Sequence, residues 1–394
     1  MLRERSGKNR EVWIHGSLLL FVLTAIMNIE GAIRKPQLGE SIAVFGGFQH
    51  LDELIMRNFI HRGENAQWHN TGRVNVFKHL SVAPRPLNKK RTSTFSTRNI
   101  QVKLCKDIDT LLKTYFSNFY IEGIHKPWRA LIEDWSAAAT AERFGIDASY
   151  LTSDYSFGLL RIARGRDSQK IGPSMSVKDD VVVAVKNLVT EGISGFAEIL
   201  FAYGSHYVTS YITGNSLYQV FVYERSQYDF IASEVNTRGI NGLSELELNL
   251  FFSPWMAVHQ GKILTASENS TVEAWAAKNL VASEIPTADD STDQIHSLNG
   301  ASPNDWIAEH LLHPSKPISL PSLIHLHKNR TLLQTLGNLL LDEAFLALRL
   351  EILSFPIEDT KNSDLLRKYC LLYLLERDSL NQHTDPGVIN GSND

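Results

Sequence analysis

From His206 onward the chain alternates cleanly. Tyr207, Thr209, Tyr211 and Thr213 fall on one face of an extended segment, and His206, Val208, Ser210 and Ile212 fall on the other. Alternation resumes after Gly214-Asn215 with Leu217, Gln219, Phe221 and Tyr223. Both residues of that pair tolerate left-handed backbone, so a strand with a mid-point bend or bulge is expected. Tyr155–Ala163 reads as a second strand. Before His206, the apolar spacing of Val177–Val189 and Gly195–Ala202 fits helices, although Val181–Val183 also suits a strand. Trp135–Asp147 is a helix-like run. Glu245–Leu250 alternates strictly, with Glu245, Glu247 and Asn249 opposite Leu246, Leu248 and Leu250, as an ordinary edge strand does. Further on, Pro303–Leu312 predicts a helix and Pro317–His327 an extended segment. Two apolar-periodic helices, 331–353 and 363–376, precede a polar tail.

Composition sets this pattern in a globular frame. The 394 residues are 43% hydrophobic and 21% charged, and the formal charge of −4 argues against a general nucleic-acid binder. At the start, Arg3, Arg5, Lys8 and Arg10 lead into the apolar run Ser17–Met27, followed by the small residues Gly31 and Ala32. The run is shorter than the ~20 residues of a spanning helix, so a cleaved signal peptide over 1–31 is predicted, with an uncleaved anchor as the alternative. With the signal cleaved, a secreted, extracellular protein is expected. Residues 32–104 form an N-terminal segment whose stretch 83–101 is poor in apolar residues and reads as a linker or exposed loop. Within it, Lys89-Lys90-Arg91 is a solvated loop by default, and otherwise a processing site or a membrane-surface contact.

Export gives meaning to three sequons, Asn269-Ser-Thr, Asn329-Arg-Thr and Asn390-Gly-Ser, each a candidate N-glycosylation site if exposed. It also gives the two cysteines, Cys105 and Cys370, the option of pairing across a very long loop. Two separate buried thiols are the other reading.

Candidate chemistry is sparse. Gly204-Ser205-His206 sets a nucleophile beside a base, yet neighbouring side chains of an extended chain point to opposite faces, so Ser205 and His206 are expected to diverge. Gly192-Ile193-Ser194-Gly195 lacks the second spacer of a nucleophile elbow. His310 and His313 lack the intervening glutamate of a zinc-protease helix, and His325 and His327 share a strand face without an evident third ligand. No catalytic, cofactor-binding or metal residue is assigned, and no cofactor is expected.

One order of motifs is specific. Tyr203-Gly204-Ser205-His206-Tyr207 follows a helical stretch and precedes Gly214-Asn215 by six residues, with asparagine in place of a second glycine. Ser156–Arg164 lies upstream; Asn304-Asp-Trp-Ile and Pro317–Leu326 lie downstream. In this order the chain resembles the membrane attack complex/perforin (MACPF) superfamily over 105–355, leaving 356–394 as a C-terminal helix and tail. With two cysteines and no room for appended modules, it looks most like the torso-like proteins of insects. The resemblance implies an α+β fold: a bent, twisted four-stranded antiparallel sheet flanked by helical clusters. The motif residues would then be structural, with Gly204 making a tight turn and His206 and the aromatics packing at the corner.

The resemblance also carries two functional expectations. One is extracellular developmental signalling, with local activation of a receptor tyrosine kinase through its growth-factor-like ligand. Partners would then be that ligand, the receptor pathway or egg-matrix components. The other is pore formation, in which clusters near 130–154 and 226–270 would unfurl into membrane hairpins. Charges at Glu142, Arg143 and Asp147 interrupt the first cluster, and Pro254 limits alternation in the second. Signalling is the favoured expectation.

Overall fold

Two long strands organise the sheet. In the computed structural model, which describes residues 37–42, 44, 74–83, 100–131, 136–281, 320–327, 329–340, 344–354 and 356–380, β6 spans Tyr155–Val177 and β7 spans His206–Glu224. They pair antiparallel from Tyr155↔Glu224 to Lys170↔Ser210. On the outer edge of β6 lies β4, Ile100–Cys105, and on the outer edge of β7 lies β10, Ala344–Ile352. The order β4-β6-β7-β10 is antiparallel throughout.

The sheet is larger than the expected four strands. β5, Phe119–Ile121, adds to β10 in parallel, and β1, Glu40–Ile42, pairs with β7 while carrying β2, Val74–Asn75. β3, Phe77–Val82, takes the far end of β6, while β8, His259–Gln260, and β9, Leu264–Thr265, take the upper part of β7. The reason is length. At 23 and 19 residues, β6 and β7 outrun any single neighbour. Successive short strands therefore satisfy backbone groups that would otherwise be orphaned. These additions also reach back into 32–104, and Ile100 and Gln101, read from sequence as the end of a linker, belong to β4.

Alternation along β6 and β7 feeds two cores. Phe157, Leu159, Tyr218, Val220 and Val222 pack on one face with α1 (Ile108–Tyr115), α2 (Trp128–Leu131) and α3 (Ala137–Phe144). Leu160, Ile162, Leu217, Phe221 and Tyr223 pack on the other. That second face is covered by the segment from α6 (Arg225–Arg238) through α7 (Glu245–Phe251) and α8 (Ser270–Asn279), together with α9 (Arg330–Leu339). Between β6 and β7 run α4 (Asp179–Glu191) and α5 (Ile193–Tyr203), broken at Gly192 with φ +61°. They share a third core with α10 (Thr360–Leu380), where Phe196 stacks on Tyr369 at 5.5 Å.

Several sequence expectations are corrected. Glu245–Leu250 is helical, not an edge strand: Ser244 and Glu247 form a reciprocal capping box that starts a helix there. The predicted helix 331–353 is α9 followed by β10, because Ala344–Ile352 alternates buried and less buried positions against β7. Pro317–His327 is extended only in part, since Leu323–Leu326 forms a 3-10 turn. The expected bend at Gly214-Asn215 is a pair of bulges in the neighbouring strands, where registers slip between Gly165 and Asp167 and between Phe345 and Ala347. Gly214 does not use left-handed backbone. It is needed for close approach, since a Cβ there would meet the Arg164 carbonyl oxygen at 2.1 Å. Cys105 and Cys370 are free thiols buried in different cores, so the candidate disulfide is absent. The signal segment 1–31, Lys89-Lys90-Arg91, Pro303–Leu312 with His310 and His313, and Asn390 lie outside the described residues.

Candidate functional site

The corner begins where α5 ends. Gly204 takes φ +75°, a conformation costly for other residues, and its N–H closes the helix on the Leu200 carbonyl at 3.0 Å. Tyr203, the last helical residue, reaches Asp180 on α4 with its hydroxyl at 3.5 Å. Ser205 lies between helix and strand. Its N–H donates to Ile42 O at 3.0 Å, and its carbonyl accepts from Leu353 N–H at 3.0 Å. β7 starts only at His206.

This placement overturns the expected divergence of Ser205 and His206. Strand alternation does not govern a residue outside the strand, and Ser205 Oγ lies 2.8 Å from His206 Nδ1. His206 Nε2 lies 2.9 Å from the Glu122 carbonyl oxygen, which can only accept. Nε2 therefore carries the proton, Nδ1 accepts from the Ser205 hydroxyl, and Ser205 Oγ accepts in turn from Val44 N–H at 3.0 Å. Burial favours the neutral ring and pushes the His206 pKa down to about 4. A serine bonded to a histidine has the contact of a nucleophile and base, but both side chains are 0% exposed. No substrate reaches them in this state, and a backbone carbonyl orients the ring.

Glu122 extends the knot. Its carboxylate accepts from Ile352 N–H at 2.9 Å and pairs with Arg367 of α10 at 2.7 Å. Beside it, Tyr207 packs edge-on against Phe77 at 5.3 Å. Its phenol pKa is raised by burial and by the carboxylates of Glu351 and Glu122. One corner thus joins β1, β5, β7, β10 and α10. Asn215, farther along β7, is buried opposite Arg164.

A second set of β7 side chains anchors both helical segments. Tyr218 donates to Arg143 O at 2.9 Å and Tyr223 to Phe251 O at 2.9 Å. Gln219 donates to Gly261 O and Pro321 O at 2.9 and 3.0 Å, and its Oε1 accepts from Leu323 N–H at 2.8 Å. Sequence reasoning missed Glu122, Arg367 and this role of Gln219. The one available signal was a lone amide among the apolar residues of Tyr218–Tyr223.

The remaining candidates are scattered. His325 Nδ1 bonds Leu280 O at 2.7 Å, and His327 follows the 3-10 turn rather than sharing a strand face with it. Among the described residues no group of three metal-ligating side chains occurs. Asn269 and Asn329 are helix N-caps, accepting from Val272 and Leu332 N–H through Oδ1, with Asn269 half-buried and Asn329 exposed.

No protein-family model matches this chain, and no curated protein matches it. Among solved structures it is similar to GNIP1Aa from Chromobacterium piscinae, at 12% identity and TM-score 0.36 over 79% of this chain and 53% of that one. It is also similar to Astrotactin-2, a vertebrate-specific, perforin-like membrane protein, at 11% identity and TM-score 0.27 over 86% of this chain and 92% of that one. A third is a MAC/Perforin-domain protein of Bacteroides thetaiotaomicron, at 15% identity and TM-score 0.28 over 58% of this chain and 46% of that one. Two of the three bear perforin in their names. The chain spans about half the length of GNIP1Aa and of the Bacteroides protein.

Proposed function

We propose that this is a secreted, perforin-like protein of the torso-like type. It acts without enzymatic chemistry, as a binding surface in extracellular developmental signalling. Its partners in this reading are a growth-factor-like ligand, its receptor tyrosine kinase pathway or components of the egg matrix. Support for a perforin-like chain comes from the Tyr203–Tyr207 motif at a helix-to-strand corner and from the order β4-β6-β7-β10, with helical segments between β4 and β6 and between β7 and β10.

The anchoring of those segments carries the choice of a binding surface over a pore. To unfurl, they would have to break the five hydrogen bonds of Tyr218, Gln219 and Tyr223. Each buried group left without a partner costs about 1–3 kcal/mol. The residues best suited to a hairpin by alternation, Glu245–Leu250, are already committed to a capped helix.

The test applies purified protein to dye-loaded vesicles of neutral and anionic lipid, and to cells bearing the receptor with its ligand. Intact vesicles, monomeric protein and ligand-dependent receptor phosphorylation are expected. Dye release with ring-shaped oligomers would replace the signalling reading with pore formation.

A further inference from the structure

Arg161 occupies β6 in the middle of the sheet and is 8% exposed. Its Nε donates to Ser216 Oγ at 3.0 Å, and its guanidinium lies 5.6 Å from the Tyr115 ring centroid. Among the described residues it forms no ion pair. A buried guanidinium held by neutral groups alone has lost hydration without gaining a counter-charge, which is a standing cost that an anion would relieve.

The surroundings suit such an anion. Arg161 lines a cavity of about 40 Å³. At the ~10–15 Å³ that one water needs, this holds about three waters, the size of a small oxyanion. Register places Gln101 opposite Arg161 and Lys103 opposite Leu159, so β4 and β6 present Gln101, Lys103 and Arg161 on one face. Thr114, Ser117 and Asn118, at the end of α1 and in the turn after it, form the facing wall. Among the described residues the lining contains two cations, four neutral polar side chains and Leu159, and no carboxylate. Gln101, Lys103, Ser117 and Asn118 are exposed, so the cavity opens to solvent above a buried arginine floor.

We propose that this cavity binds a tetrahedral oxyanion, a phosphate or sulfate group. Arg161 supplies the buried charge, Lys103 a second charge at the mouth, and the neutral side chains hydrogen bonds from the opposite wall. The site is independent of the His206 corner and of the signalling proposal.

Calorimetric titration and thermal unfolding of the full chain with sodium phosphate and sodium sulfate test this against sodium chloride at matched ionic strength. Saturable binding of one anion per chain is expected, with a Kd of about 1 mM or tighter and a higher unfolding temperature. Lys103→Gln should weaken binding about tenfold, and Asn118→Asp should abolish it by placing a negative charge in the wall. Both changes are at exposed positions, so the fold in chloride should be unchanged; Arg161→Met should also remove binding. Phosphate and sulfate acting no differently from chloride would overturn the proposal, as would both exposed variants keeping the wild-type response. Vesicles of phosphatidic acid, compared with phosphatidylserine, separate two sources of the anion. Capture displaced by free phosphate assigns the site to a lipid headgroup, whereas phosphate binding without capture assigns it to a free ion.

Discussion

His206 Nε2 lies 2.9 Å from the carbonyl oxygen of Glu122, 84 residues away in the chain. The same glutamate turns its carboxylate to Ile352 N–H and Arg367, so the corner is closed by one residue acting through both backbone and side chain. His206→Ala would remove the donor to the Glu122 carbonyl, take from the Ser205 hydroxyl its acceptor at Nδ1, and open a cavity. A loss of about 3 kcal/mol is expected from urea unfolding.

The same histidine gives a pH dependence with a definite sign. Burial lowers its pKa from 6.5 to about 4 on folding. Between those values the unfolded chain binds a proton that the native state refuses, so stability falls as pH drops through 6.5 and the loss levels off below about 4. The full effect is on the order of 3 kcal/mol. Urea midpoints for wild type and His206→Asn isolate it from the carboxylates, because the advantage of wild type should shrink on acidification. An advantage constant from pH 7 to pH 4 would contradict the assignment.

Gly214→Ala should cost about 3 kcal/mol or more, because the new Cβ meets backbone atoms of Arg164 and Gly165 at 2.1–2.9 Å. Gly242→Ala is the control. Its Cβ would meet only the Arg238 side chain, at 3.4 Å, and thermal unfolding should barely change.

Gln219→Leu removes three buried hydrogen bonds and leaves Gly261 O, Pro321 O and Leu323 N–H to find new partners. A loss of about 3–5 kcal/mol is expected. Amide hydrogen exchange should quicken most in residues 245–281, which that side chain helps to hold on the sheet.

Ser244→Ala tests the helix that replaced a predicted strand. The serine accepts from Glu247 N–H at 3.2 Å, while the Glu247 carboxylate accepts from Ser244 N–H at 2.7 Å. Losing this cap should cost about 1 kcal/mol and lower the thermal midpoint by a few degrees.

Local signals in the sequence were read correctly where one period dominated. Tyr155–Ala163, read as a strand, and His206–Tyr223, which alternates, lie in β6 and β7, while 177–189 and 195–202 have helical spacing and fall in or beside α4 and α5. Glu245–Leu250 failed because its period of two competed with a capping box, and the box won. The Leu-rich run 331–353 failed because apolar content masked a change of period between α9 and β10. The far half of β6, Gly165–Ser176, is polar and carries no strand signal of its own; pairing with β7 and β3 makes it extended.

By itself the sequence determined where the chain turns from helix to strand at Gly204, that 155–163 and 206–223 are extended, and that Tyr203–Tyr207 forms a distinctive motif. Tertiary structure alone decided that Ser205 faces His206, that Glu122 closes the corner, and that Arg161 ends beside a cavity with no ion pair among the described residues. The difference is physical. Periodicity and φ preference act over a few residues and are written locally, whereas hydrogen-bond partners and burial depend on segments brought together from far apart by the pairing of β4, β6, β7 and β10.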